Sequence, residues 1–195
     1  SVYYEGSGAR VEGYLHDYAL MAEAHLAVAS KIDWLEAGAA ATYRARAKAC
    51  VDGALSRFRD AHSIGCFFTA EGAATPVARR KEWFDNATPS GNSVLLHALA
   101  GLYALTGEAV YAGELTATLP AYADYARKVA AGVAHALEAA AVHDAGIAVV
   151  KIGQGADLPA LREAIAATSW RRVFIHYSED CAAGQYQLCL GTQCL

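Results

Sequence analysis

Apolar residues recur at three- and four-residue spacing through most of the first 142 residues, and that period admits amphipathic helices and little else. Between 11 and 30 the stripe is Val11, Leu15, Tyr18, Met21, Ala22, His25 and Leu26. Between 35 and 59 it is Tyr43, Ala47, Cys50, Ala54, Leu55 and Phe58, backed by a charged face of Arg44, Arg46, Lys48, Asp52, Arg57 and Arg59. Residues 60–70 break the period with glycine, β-branched and aromatic residues and read as a short strand or turn, and 71–88 read as a long connection. A third helix is expected from Thr88-Pro89, with Thr88 as N-cap and Pro89 in the first turn. Its apolar face is Val94, Leu95, Ala98, Leu99, Leu102 and Tyr103. Thr106-Gly107 ends it and opens a short fourth helix to about Leu119, and Pro120 begins a fifth that runs to about Val142.

The period then changes. Ala145 to Ile152, AGIAVVKI, is a continuous apolar run of the kind that fills a buried strand. A loop at 153–157, a helix from Leu158 to Thr168 with Asp157 as N-cap, and a strand from Arg172 to Tyr177 complete a unit long enough for a parallel crossover. The tail YQLCLGTQCL adds a last strand with a turn at Gly191. The expected fold is therefore mostly α: helical hairpins over 1–143, forming part of an (α/α) toroid, then a small α/β unit over 144–195. Five helices do not close such a ring, so exposed apolar faces and self-association, or a missing N-terminal part, are expected.

Composition removes several classes of function. The chain has 195 residues, 55% of them hydrophobic and 18% charged, with a net charge of −4. No basic stripe exists to capture nucleic acid. The longest alanine-rich stretch, Val129 to Val142, is too short for a membrane span and carries His135 and Glu138. The start at Ser1 shows no basic-then-apolar signal. Five cysteines, an odd number, suit a reducing cytoplasm, with Cys50 and Cys66 as small core residues.

The stretch KEWFDNATPSGNSV, Lys81 to Val94, is the polar exception in an alanine-rich chain. One reading is that Thr88, Ser90, Asn92 and Ser93 satisfy the orphan donors of the third helix and do nothing else. The other adds Lys81, Asp85 and Asn86 and makes the loop a polar surface for an anionic or hydroxylated ligand. Asp17, between His16 and Tyr18, is the second candidate carboxylate; with Asp85 it would supply the pair that glycoside hydrolysis requires. Its plainer role is to accept bonds from neighbouring loop donors. An epimerase needs two proton-transfer groups instead. His16, His62 and His97 are present, with no spacing that singles out a pair. Trp34, Tyr103 and Tyr111 read as core, and Trp83 and Phe84 as the aromatics free to stack on a sugar.

Cys189 and Cys194 form a C-x4-C pair. His176 and Cys181 would complete a nominal zinc set, in spacings that fit no familiar module. A reversible disulfide is the better reading, and two free thiols in a terminal hairpin the expected state. The glycines at 153 and 155 fall short of a dinucleotide fingerprint and read as a tight strand-to-helix turn.

Three segments, YLHDYALMAEAHL (14–26), CFFTA…RRKEWFDNATPSGNSV…LYALTGEAVY (66–111) and YQLCLGTQC (186–194), resemble the C-terminal part of the thioredoxin-domain proteins related to spermatogenesis-associated protein 20. The resemblance runs in order over nearly the whole chain and implies a helical toroid. That toroid is similar to those of N-acylglucosamine 2-epimerases and six-hairpin glycosidases. It also implies that this chain is a C-terminal fragment whose thioredoxin-like domain lies elsewhere. The positions that match are Asp17, Tyr18, Lys81, Asp85, Asn86, Pro89, Ser90, Gly91 and Asn92; His16 stands where an acid is common. The expected function is thus carbohydrate-type, with Asp17 and Asp85 catalytic and Tyr18, Lys81, Asn86, Ser90 and Asn92 binding a sugar-like molecule, without metal or cofactor. The alternative is a non-catalytic binding or scaffold region that serves a thioredoxin-like redox domain.

Overall fold

The structure, a computed structural model, describes residues 4–5, 8–9, 12–73, 78–168 and 172–194. It is mostly helical. A two-stranded antiparallel ribbon, β1 (Tyr4–Glu5) and β2 (Gly8–Ala9), precedes α1 (Leu15–Ala29) and α2 (Ala40–Phe58). Then come α3 (Gly91–Thr106), α4 (Ala109–Val129) and α5 (Ala134–Ala145). The C-terminal part is β3 (Ala148–Ile152), α6 (Leu158–Ala166), β4 (Val173–Tyr177), β5 (Tyr186–Leu190) and β6 (Gln193–Cys194).

Helix α3 is the centre of the molecule. Every residue from Gly91 to Leu102 is buried, and α1, α2, α4 and α5 all pack on it. Two glycines let α1 approach closely. A Cβ at Gly91 would lie 3.2 Å from the His16 backbone nitrogen, and one at Gly101 would lie 3.1 Å from Leu26 Cδ1. α1 and α2 run antiparallel: Tyr18 near the start of one meets Phe58 at the end of the other, and His25 meets Tyr43. The buried stripe of α1 is Leu15, Ala19, Ala22, Leu26 and Ala29. Met21, expected in that stripe, is 49% exposed, and Leu20 and Val28 are exposed beside it. Val11, also placed in the stripe, lies outside the described residues.

Helix boundaries differ from expectation: α2, expected from residue 35, starts at Ala40, and the departures at α3 and α4 have physical reasons. α3 begins two residues later than Pro89, because Ser90, not Thr88, is the N-cap: its hydroxyl accepts from the Ser93 N–H at 3.1 Å. α4 runs straight through Pro120. The proline removes one N–H and frees the carbonyl four residues back, at Thr116; both positions are exposed, so the freed group faces solvent. The break comes later, at the 3₁₀ turn Ala130–Val133, where the Gly132 carbonyl accepts the Asp85 N–H at 2.7 Å.

In the C-terminal unit β3 pairs parallel with β4 through α6 and antiparallel with β5, giving the order β4-β3-β5-β6. Asp157 caps α6 as expected. Alternation divides the sheet. Val149, Phe174 and Cys189 join the helical core, while Ala148, Val150, Ile152, Val173 and Ile175 pack on the other face with Leu161 of α6. The element types change near residue 144; one face of the sheet shares the helical core, and the other forms a separate cluster with α6. Among the described residues no helix is long and apolar enough to cross a membrane.

Candidate functional site

The polar loop before α3 folds inward. Lys81 Nζ meets Asp60 Oδ2 at 2.7 Å and donates to the Ile64 carbonyl at 2.6 Å, with only 14% of its side chain exposed. The ammonium's hydrogen bond in turn holds the Asp60 carboxyl below the usual carboxylate range. Asn92, buried in the first turn of α3, behaves like a strand neighbour for Cys66. Its Oδ1 accepts the Cys66 N–H at 2.8 Å, and its Nδ2 donates to the Cys66 and Glu82 carbonyls at 2.9 and 3.0 Å. Trp83 is edge-on to Tyr122 and lies over Gly65, where any Cβ would come within 2.5 Å of its ring. Phe84, 42% exposed, packs its edge on Tyr125.

Asp85 ties three segments. Oδ1 accepts from the Ser90 N–H at 2.9 Å and the Ser93 hydroxyl at 2.8 Å, and Oδ2 accepts from the His135 N–H at 3.0 Å. Its carboxylate thus sits on the N-termini of α3 and α5 together, where helix dipoles favour negative charge. Asn86 forms a backbone turn to Thr88, and its side chain is exposed. Asp17 turns back on its own helix, accepting the Tyr14 N–H at 2.7 Å through Oδ2. Tyr18 packs edge-on to Phe58 and against Gly53. Of the predicted set, the structure brings Asp85 and Ser90 together; Lys81 and Asn92 are engaged by the 60–66 loop, and Asp17 and Tyr18 serve α1 and its contact with α2.

A second cluster lies behind Asp85. His97 in the middle of α3 and His135 in the first turn of α5 have ring centroids 4.2 Å apart. His97 Nε2 is 2.9 Å from the His135 carbonyl; as that oxygen only accepts, Nε2 carries the proton and Nδ1 keeps a lone pair. His135 Nδ1 lies 3.8 Å from Glu138 Oε2, beyond hydrogen-bond length. Burial pushes both imidazoles below the ordinary histidine range, and His97 further lowers His135. Both are neutral at pH 7. Glu23 and Arg172 close the inner side with an ion pair at 3.2 Å, and Arg172 also donates to the His97 carbonyl at 3.0 Å. Burial raises the Glu23 carboxyl, with Arg172 opposing. Sequence spacing could not single out this pair: His97 and His135 are 38 residues apart on different helices. The one local signal is His135 and Glu138 at i and i+3, which share a helix face.

A third cluster lies on the β5–β6 hairpin. Cys189 and Cys194 face each other across β5 and β6 and are joined by a disulfide, which replaces the free thiols expected there. It also dissolves the nominal zinc set: Cys181 Sγ donates toward the Lys151 and Gln185 carbonyls, and His176 Nδ1 bonds the Tyr177 carbonyl at 3.0 Å. The disulfide lines an open groove of about 300 Å³ with Lys151, His176, Asp180 and Thr192. Cys189 is buried and Cys194 exposed. The remaining cysteines, Cys50, Cys66 and Cys181, are free, and burial pushes the Cys66 thiol up to about 12, so it stays protonated.

No protein-family model matches the chain, and no curated protein matches it.

Proposed function

We propose that this chain is a non-catalytic binding region whose Cys189–Cys194 pair exchanges electrons with a thioredoxin-like dithiol partner in a reducing cytoplasm. The observation that supports this reading is the cross-strand disulfide between β5 and β6, with Cys189 buried and Cys194 exposed, beside a groove carrying Lys151. The step balances. A partner thiolate attacks Cys194 Sγ, the S–S bond breaks, and Cys189 leaves as a thiolate that takes up a proton. The partner's second thiol then displaces Cys194, so two electrons pass and the partner ends oxidised. The polar loop favours this reading over catalysis on the loop, because Lys81, Asp85, Ser90 and Asn92 spend their bonds holding segments together.

The test uses reduced thioredoxin lacking its resolving cysteine. A trapped mixed disulfide is expected with the native chain and lost with Cys194→Ser. A pair that stays oxidised under excess reduced thioredoxin, with no trapped adduct, would sink the reading. Thiol titration supplies the baseline: three reactive thiols in the unfolded, unreduced chain and five after reduction.

A sugar-like ligand is the second reading. Its support is the His97–His135 pair, two neutral imidazoles beside Asp85, Glu23 and Glu138, which are proton-transfer groups of the kind an epimerase uses. Chemical-shift changes at these histidines on adding N-acetylglucosamine would favour it. We also take α1–α2 and α3–α4 as hairpins of a helical toroid that a further segment or a second copy completes. The exposed Leu20, Met21 and Val28 on α1 support self-association. A strict monomer by light scattering would remove the second-copy version.

A further inference from the structure

We propose that His97, His135 and Glu138 form a three-ligand site for a divalent transition-metal ion, zinc being the best fit to two imidazoles and one carboxylate. The site does not involve the Cys189–Cys194 pair, but it uses the same histidines as the sugar reading, and an ion bound there would occupy their lone pairs and exclude proton transfer by them. One ligand atom from each residue lies within 4.8 Å of the other two. Bonds of about 2.1 Å would set the ligand atoms of a four-coordinate zinc about 3.4 Å apart. The closing movement falls on the side chains able to make it: Glu138 is exposed at the surface and His135 is 28% exposed, while His97 is fixed inside.

The His97 Nε2 bond to the His135 carbonyl fixes the tautomer and leaves Nδ1 as the donor atom, which is how metal-binding histidines are oriented by their outer shell. The Asp85 bond to the His135 N–H fixes the helix turn that carries both His135 and Glu138. Arg172 would oppose a cation, but Glu23 pairs with it at 3.2 Å. Three protein ligands leave a coordination position open toward solvent on the Glu138 side, the arrangement that lets a bound ion hold and acidify a water.

The test is equilibrium dialysis of the 195-residue chain against zinc chloride, with cobalt(II) as a spectroscopic probe. One zinc per chain is expected, with visible cobalt bands of a low-coordinate site. Glu138→Gln and His135→Gln should each weaken binding by at least the roughly tenfold that loss of an outer-shell partner costs. Glu138 is at the surface, so its variant keeps the fold, and an unchanged thermal melt confirms that. Absence of binding at millimolar zinc would overturn the proposal. So would binding undiminished in both variants, since the ion would then sit elsewhere, for example on the free thiols.

Discussion

Asp85 and His135 are 50 residues apart, and the backbone N–H of one donates to the carboxylate of the other at 3.0 Å. With the bonds from Ser90 and Ser93, this makes one carboxylate the cap of two helices. Asp85→Ala is expected to cost about 2–4 kcal/mol, the loss of two capping interactions. Asp85→Asn, which keeps one acceptor, should cost less. Urea unfolding measures both. An unchanged midpoint in Asp85→Ala would mean that the carboxylate is free for a ligand after all.

Asn92 offers a sharper contrast. Asn92→Ala strips three partners from buried backbone groups and is expected to cost about 3 kcal/mol. Asn92→Asp keeps the acceptor for the Cys66 N–H but points an oxygen at the Cys66 and Glu82 carbonyls. It should be at least as destabilising. A ligand-binding amide with no structural duty would show little effect in either variant.

Gly153 tests the reading of the glycine loop. A Cβ there would meet the Ala182 carbonyl oxygen at 1.9 Å and its carbon at 2.7 Å, and backbone cannot rotate away. Gly153→Ala should therefore cost about 3 kcal/mol or more. Gly155, with φ +79° and open space around it, should cost only about 1 kcal/mol on the same change. Thermal melts of the two variants check the ranking.

The buried histidines set an acid limit. His97, His135 and His176 are all pushed down by burial. Between their folded and unfolded values the unfolded chain binds more protons, so stability rises with pH through that window. It is fully present above about pH 6.5, the unfolded histidine value, and is lost as pH falls below it. Urea midpoints between pH 5 and 8, measured with a chelator present, should follow this course. His176→Gln should flatten it in part. A profile that rises on acidification would contradict the burial of these rings.

The sequence made the helices legible because their buried stripes repeat locally: Leu15, Ala22 and Leu26, or Ala47, Ala54 and Phe58, can be read without knowing any partner. The crossover at 148–177 and the cap at Asp157 were legible for the same reason. What failed was decided by neighbours that the helical period does not show. Ser90 displaces Thr88 as cap because Asp85 holds the Ser90 N–H. Pro120 fails to start a helix because its lost bond faces solvent. Met21 lies in the right period but on a face that no other described element covers. The candidate site was half legible. Asp85 was singled out by its polar neighbours, yet its partner His135 and the stacked His97 come together only through the packing of α5 on α3.

The core around α3 includes Val149, Phe174 and Cys189, and a Cβ at Gly101 would touch Phe174 at 3.3 Å. A ribosome delivers these residues after α1 to α5. Helices α1 to α5 emerge while the side of α3 that meets Phe174 still lacks the sheet, so an apolar surface waits in the open until β3 to β5 are made. Synthesis that stalls before residue 189 leaves a helical cluster with one wall missing. Strands β3 to β5 close a core that α1 begins.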